Sequence, residues 1–151
     1  MADYYPPPSF HFSVDLSELK PSPSKNDVLF QSVGGLTASM ETESIKEGGQ
    51  NRFEHVLPVR AKYDDIVLRR GLVTDSKIVT WIQNAIDNFK VKPIGITITL
   101  LNQKHAPLVV WKCTHVWPKK WSVADLNADK SEVLIETLEL NCNFFTVEYR
   151  K

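Results

Sequence analysis

Residues of the types that bind metal ions or act as nucleophiles seldom lie close together in this sequence. Cys113 and His115 are two positions apart in a segment predicted to be a strand, so their side chains share one face. A structural zinc site needs four ligands, usually supplied as two close pairs, and this is half of one. We therefore expect no metal site. We expect Cys113 and the second cysteine, Cys142, to be buried thiols.

The sequence supports a catalytic site or a phosphate-binding site no better than it supports a metal site. A cysteine nucleophile would need a histidine from another strand, and both cysteines lie in predicted strands rather than in the loops that display reactive groups. The pairs Gly34-Gly35 and Gly48-Gly49 lack the Lys-Ser/Thr that follows a phosphate-binding glycine loop, so we interpret them as turns that need positive φ. We expect no catalytic residue and no cofactor.

The charge balance argues against a surface for duplex nucleic acid. Lys plus Arg and Asp plus Glu both number 18 among the 151 residues, so the net charge is zero. Duplex binding requires a clustered basic excess. We interpret Lys119-Lys120, between Trp117 and Trp121, as a surface turn flanked by packed tryptophans.

The elements that would position these residues are mostly strands. Alternation of apolar and polar residues predicts half-buried strands, with a loop at 102–105, one helical turn at 122–127 and a bulge near 141–143. The first two strands, within 10–33, are expected to form a hairpin. The predicted strand regions are 10–16, 28–33, 59–72, 94–101, 108–116 and 132–149.

Two other segments depart from this pattern. An amphipathic helix is predicted at about 75–89, with Trp81 in its apolar stripe and Pro93 after its end. A long polar arm is predicted at about 34–57, where apolar residues are sparse, and it is either disordered or ordered against a partner. The carboxylates of this arm could bind a cation, but we predict a solvated loop; they are Glu41, Glu43 and Glu47.

These elements predict one domain, 1–151, of the mainly β (α+β) class. Short connections favour antiparallel sheets, so we expect a small barrel or sandwich with the helix packed across it. The first residues lack the basic and apolar regions of a signal peptide, and no apolar run approaches about 20 residues. We therefore expect a protein made in the cytoplasm without a cleaved signal or membrane insertion.

An ordered series of short segments resembles the inner tube (tail tube) proteins of contractile phage tails and extracellular contractile injection systems. The resemblance spans about 4–145, and the opening segment is most similar to the injection-system members. The segments are Tyr4-Tyr-Pro-Pro-Pro-Ser-Phe-His-Phe-Ser-Val14, Phe30-Gln-Ser-Val-Gly-Gly-Leu36, Glu47-Gly-Gly-Gln-Asn51, Leu57-Pro58, Leu68-Arg-Arg-Gly71 before the helix with Trp81, Leu101-Asn102, Trp117-Pro-Lys-Lys-Trp121, Ala128-Asp-Lys-Ser-Glu-Val133 and Ile135-Glu-Thr-Leu-Glu-Leu140.

The resemblance implies a structural subunit rather than an enzyme. Six subunits would close into a ring lined by one continuous β-barrel, and the rings would stack into a rigid tube. The implied partners are further copies of the chain, a sheath protein, baseplate and spike proteins, and a luminal cargo of protein or DNA. Such a chain would be made in the bacterial cytoplasm and assembled into a phage tail or an injection particle, with release from the cell as one implied outcome.

The resemblance and the predicted elements together assign specific residues to three surfaces. The arm would meet a neighbouring subunit, the polar face of the helix would meet the sheath, and one strand face would line the lumen. The expected subunit-interface residues are Glu41, Glu43, Glu47, Gly48, Gly49, Asn51 and Arg52. The expected sheath-facing residues are Lys77, Gln83, Asn84 and Asp87. The expected lumen-facing residues are Thr97, Thr99, Lys112 and Thr114.

Two other classes of function remain open on the sequence. A solitary small β-barrel that binds a ligand would be a stable monomer with an apolar cavity. An enzyme would hold a site that only the fold assembles. The sequence also leaves open whether the parent machine is a phage or an injection system.

Overall fold

A computed structural model describes residues 11–46, 48, 49 and 52–150. Among them, the chain forms one α-helix, α1 (Lys77–Asp87), and a 3-10 turn at Asn26–Val28. The strands are β1 (Phe12–Asp15), β2 (Ser32–Gly34), β3 (Ala38–Ile45), β4 (His55–Tyr63), β5 (Ile66–Gly71), β6 (Ile94–Leu101), β7 (Pro107–Val123), β8 (Ile135–Asn141) and β9 (Phe144–Tyr149). The expectation of a mainly β, antiparallel fold with one packed helix is confirmed.

The strand β7 belongs to two sheets. The first half of this 17-residue strand pairs with β6 on one edge and β9 on the other, and its second half pairs with β8. We call β1-β6-β7-β9 the first sheet and β7-β8-β5-β2 the second sheet. The strands β8 and β9 run along β7 in almost continuous register, interrupted at 142–143, where the sequence predicts a bulge.

The inner faces of both sheets and the helix enclose one hydrophobic core. Alternate positions of β6 are buried, namely Ile94, Ile96 and Ile98, and they share the core with residues of β5 and β8. The helix adds Ile78, Trp81, Ile82 and Ala85. The Ser76 side chain caps α1 by accepting a hydrogen bond from the Val79 amide at 3.1 Å.

The helix is shorter than predicted, and its apolar stripe is only partly buried. Ile86 is half exposed, and Phe89 lies beyond the helix end with positive φ and 88% exposure. The chain turns away from the core at Asn88, whose amide donates to the Asn84 carbonyl.

The predicted hairpin within 10–33 is wrong. β1 pairs with β6, and β2 pairs with β5, so the two strands lie in different sheets. The connection between them packs inward through Leu16 and Leu19, which are both almost fully buried. Burial of these side chains therefore separates two strands that the alternation pattern alone would have paired.

Two further predictions near residue 120 are also wrong. β7 continues to Val123 where a surface turn at Lys119-Lys120 and a helical turn at 122–127 were expected. The register of β7 against β8 shifts between Pro118 and Lys120, so the interruption is a bulge within a strand. Residues 124–134 then form the irregular connection to β8.

The arm expected at 34–57 is ordered as a separate β-hairpin that extends further than predicted. β3 and β4 pair with each other and with no other described strand. Its composition also differs from the polar prediction, because β4 carries exposed apolar residues, including Val56, Leu57 and Val59. The base is anchored by Tyr63, whose ring packs edge-on against Phe145 with centroids 5.0 Å apart.

Candidate assembly surfaces

The four threonine and lysine residues expected to line a lumen share one face of the first sheet. Thr97 lies opposite Lys112, and Ile98, opposite Trp111, points to the core side. Thr99 and Thr114 follow at alternate positions of the same two strands. We call this solvent-facing surface the polar face, and β1 adds Ser13 and Asp15 to it. The structure thus brings together all four residues, Thr97, Thr99, Lys112 and Thr114.

Charge on the polar face is largely paired. Lys112 Nζ lies 3.0 Å from Glu148 Oε1 on the neighbouring strand β9. This pair and the attractive field of Lys112 lower the pKa of Glu148 below its ordinary value. The face therefore carries hydroxyl groups and the Lys112–Glu148 ion pair, and the register also places Val110 and Phe144 on it.

The first sheet ends in two unpaired strands. Within the described residues, β1 pairs only with β6, and β9 pairs only with β7. The Arg150 amide donates to the Leu108 carbonyl at 2.8 Å, so in an antiparallel ladder the amides of Val147 and Tyr149 point away from β7. An open edge of this kind is a template for pairing with another chain.

The β3–β4 hairpin has two different faces. Met40 lies opposite Ala61, and Ser44 lies opposite Val56, which places these small or apolar side chains on one face. The other face carries charge, including the ion pair between Glu41 Oε2 and Arg60 Nε. Met40 and Val56 are both 58% exposed. The apolar face therefore has no partner within the described part of the chain.

The residues expected at a subunit interface are distributed along this hairpin. Glu41 and Glu43 lie in β3, and Glu41 forms an ion pair with Arg60 of β4. Gly48, Gly49 and Arg52 are exposed near the tip, and Gly49 has φ of 94°. Glu47 and Asn51 lie outside the described residues.

The residues expected to face a sheath are all exposed on α1 or at its start. They are Lys77, Gln83, Asn84 and Asp87. The opposite side of the helix is buried in the core, so this face is presented outward from the domain.

A cluster of buried charges at the start of α1 was not predicted. Arg70, Asp27 and Glu136 are each exposed by no more than 1%. Arg70 Nε donates to Glu136 Oε2 at 2.7 Å, and Arg70 Nη1 donates to Asp27 Oδ1 at 2.7 Å. Arg70 Nη2 also donates to Ser76 Oγ at 2.8 Å. We call Asp27, Arg70, Ser76 and Glu136 the buried charge network.

The network joins four separate elements. Asp27 lies in the 3-10 turn and accepts from the Lys77 amide at 2.8 Å, at the positive end of the helix dipole. Trp121 Nε1 in β7 donates to Glu136 Oε1 at 2.7 Å. Every buried polar side-chain atom in the described part of the chain has a hydrogen-bond partner. The network therefore fixes the helix onto the second sheet.

Hydrogen bonds determine the protonation state of the Asp27 carboxyl group. Burial alone would raise its pKa, but bonds from Ser76 and Arg70 and from the Lys77 amide outweigh it and hold the pKa below 3.8. Asp27 is thus a carboxylate at neutral pH. The alternation that places Leu138 and Leu140 inward also places Glu136 inward, and this was the available signal for the network.

The cysteines form no candidate site. Both are buried and unbridged, as predicted. The Cys142 thiol donates to the Phe144 carbonyl at 3.1 Å. A hydrogen bond with Cys142 and burial raise the pKa of Cys113, which keeps it a thiol. Among the residues the structure describes, no three His, Cys, Asp or Glu side chains are arranged to hold a metal ion, and no helix is long and apolar enough to span a membrane.

Comparison with known proteins agrees with the resemblance found in the sequence. The sequence model of the T4-like virus tail tube protein gp19 family matches residues 8–146. A search of curated proteins gives no match. A chain from the cryo-EM structure of the anti-feeding prophage baseplate, 6-fold symmetrised, is 28% identical with a TM-score of 0.87, and the alignment covers 97% of this chain and 98% of that chain.

Two more distant structures share the fold. A chain of the sheath-tube complex of the extracellular contractile injection system PVC, in the extended state, is 24% identical with a TM-score of 0.78, over 97% of this chain and 93% of that one. Hcp1 from Flavobacterium johnsoniae is 12% identical with a TM-score of 0.53, over 93% and 97% of the two chains. At these identities the similarity shows the fold alone.

Proposed function

The chain belongs to the T4-like virus tail tube protein gp19 family, and from that premise we propose that it forms hexameric rings that stack into the rigid inner tube of a contractile injection system or phage tail. In this proposal the chain is structural and not an enzyme. Contraction of a surrounding sheath drives the tube through a target envelope. The lumen carries protein cargo or DNA.

One observation carries the proposal, namely the two open edges of the first sheet. If β9 of one copy pairs with β1 of the next, the first sheets of all copies form one closed barrel without free edges. The polar face then lines the lumen, because the opposite face is buried against the core. Closure of the ring would give hydrogen-bond partners to the amides of Val147 and Tyr149, and it would bury no polar side chain.

The remaining surfaces fit the same arrangement. The hairpin projects from the domain with an exposed apolar face, which a neighbouring subunit or the next ring would bury. The exposed face of α1 lies on the other side of the first sheet from the lumen and would meet the sheath. Baseplate and spike proteins would contact the terminal ring.

A monomeric ligand-binding barrel has less support. An apolar groove of about 470 Å³ lies beside the core, lined in part by Phe12, Val33 and Trp111. The centre of the space between the two sheets is filled by side chains of both sheets and of the helix, including Leu68, Ile98 and Leu138. A lipocalin-like protein keeps this space open for its ligand.

A proline at the open edge tests the proposal. Val147 is partly exposed and its amide points away from β7, so Val147→Pro removes a donor from the edge while leaving the pairing with β7 intact. We expect wild-type protein to form rings or tubes with a central channel by negative-stain microscopy, and Val147→Pro to remain monomeric by size-exclusion chromatography.

Val147→Thr serves as the control, since threonine changes the same side chain but keeps the amide. It should still assemble. Assembly of folded Val147→Pro into normal tubes, with an unfolding transition like that of the wild type, would rule out edge pairing through β9.

A further inference from the structure

A groove beside the helix is lined by four lysines and has no established role. It has a volume of about 520 Å³ and lies between α1, the turn at 18–21 and the segment at 90–94. Its lysines are Lys20, Lys77, Lys90 and Lys92. We call it the lysine groove.

None of the four groove lysines has an ion-pair partner within the described part of the chain. Elsewhere Lys112 pairs with Glu148, Lys119 with Asp65 and Arg60 with Glu41. One carboxylate, that of Glu18, lines the groove, and it accepts a hydrogen bond from the Gly95 amide. The groove therefore concentrates uncompensated positive charge in a chain whose net charge is zero.

The backbone beneath the lysines is held in place. Trp81 is buried, and its Nε1 donates to the Lys92 carbonyl at 2.9 Å. The Lys90 amide donates to the Asn84 carbonyl at 3.1 Å, and the Lys77 amide donates to Asp27 in the buried charge network. Thr80 and Asn84 add neutral hydrogen-bonding groups to the lining. A charged ligand would thus meet a preformed groove rather than four unrelated side chains.

We propose that the lysine groove binds an acidic segment of a partner protein, and that in the assembled particle this partner is the sheath subunit. The identification of the partner rests on the proposed function. Charge complementarity selects an acidic ligand. Most of the groove lies beside α1, which packs on the core side of the first sheet, and at Glu18, Pro93 and Ile94 it adjoins a cleft on the polar face.

The test measures binding of a fluorescent oligoglutamate peptide by fluorescence anisotropy at low ionic strength. We expect the variant K20Q/K77Q/K90Q/K92Q to lose about tenfold or more in affinity, because several exposed ion pairs are removed together. The control K25Q/K62Q/K104Q/K130Q removes the same charge from lysines outside the groove and should change affinity by less than about twofold. Added salt should weaken the wild-type complex.

Three outcomes would overturn the proposal. They are equal losses in the two variants, no measurable peptide binding, and tighter binding of an oligothymidylate of equal charge with the same dependence on the groove lysines. The last result would assign the groove to nucleic acid. A co-sedimentation assay of tubes with the sheath subunit of the same particle tests the partner: the groove variant should form tubes that fail to retain sheath. Failure of the wild type to form tubes would contradict the proposed function, while the peptide result would stand separately.

Discussion

The domain and its hairpin invert the usual distribution of polar and apolar residues. Inside the domain, Arg70, Asp27 and Glu136 are fully buried. On the hairpin, Met40 and Val56 are more than half exposed. Charges are normally on the surface and apolar side chains inside, so both regions carry a cost that something else must offset.

The two regions offset that cost in different ways. The buried charge network is complete within one chain, since each of its buried side-chain atoms has a hydrogen-bond partner. The apolar face of the hairpin has no partner within the described residues, and Tyr63 ties its base to the core. The contrast separates the contacts that fold the monomer from a surface that the proposed assembly would bury.

Removal of the central cation should have the largest effect on the monomer. Arg70→Met leaves the carboxylates of Asp27 and Glu136 buried without a cation, so we expect a loss of about 3–5 kcal/mol in the free energy of unfolding. Urea denaturation followed by circular dichroism measures it. Arg69→Met, at the exposed neighbouring position, is the matched control and should change the free energy by less than about 0.5 kcal/mol. Similar losses in both variants would show that the network does not stabilise the domain.

The hairpin should show the opposite behaviour. Met40→Thr with Val56→Thr removes apolar surface that is exposed in the monomer, so the free energy of unfolding should change by less than about 0.5 kcal/mol per substitution. Burial of each side chain in an assembly contributes about 1.5–3 kcal/mol, so tubes should fail to form or should dissociate on dilution. Sedimentation and negative-stain microscopy measure assembly.

Two further variants sharpen that result. Lys62→Gln alters the charged face of the same hairpin and should leave assembly intact. Deletion of 40–52 should abolish tubes while leaving a folded monomer. Normal tubes from the deletion variant would exclude the hairpin from the interface.

Acid should weaken the buried charge network, with the smallest of these effects. The pKa of Asp27 is lower in the folded protein than its ordinary value of 3.8, so the unfolded chain binds the proton first. The stabilisation is present above pH 3.8 and is lost as the pH falls through the folded pKa. Asp27→Asn should therefore lose stability less steeply than the wild type below pH 3.8, as measured by thermal unfolding. Asp125→Asn, at an exposed position, should retain the wild-type slope.

The sequence predicts the local structure better than the pairing. Alternation in β6, with Ile94, Ile96 and Ile98 buried, and the periodicity around Trp81 are local signals, and both are confirmed. The pairing of β1 with β6 depends on contacts between residues more than 80 positions apart. Local alternation carries no information about such distant partners, so the first two strands were paired wrongly.

The candidate surfaces show the same difference between local patterns and long-range contacts. The shared face of Thr97 and Thr99 with Lys112 and Thr114 was predictable, because it depends on period-two alternation along paired strands. The buried charge network needs the 3-10 turn, β5, β8 and the helix start to meet in space. Alternation within a single strand does not specify such a meeting of four segments.

The strand β7 gives this small domain a mechanical property. Its 17 residues run without a break from the first sheet into the second, so a force applied to one sheet reaches the other through covalent bonds. Pulling the sheets apart along β7 would shear many backbone hydrogen bonds at once instead of opening them one at a time. In the proposed tube, stacked units of this kind would resist bending and axial load.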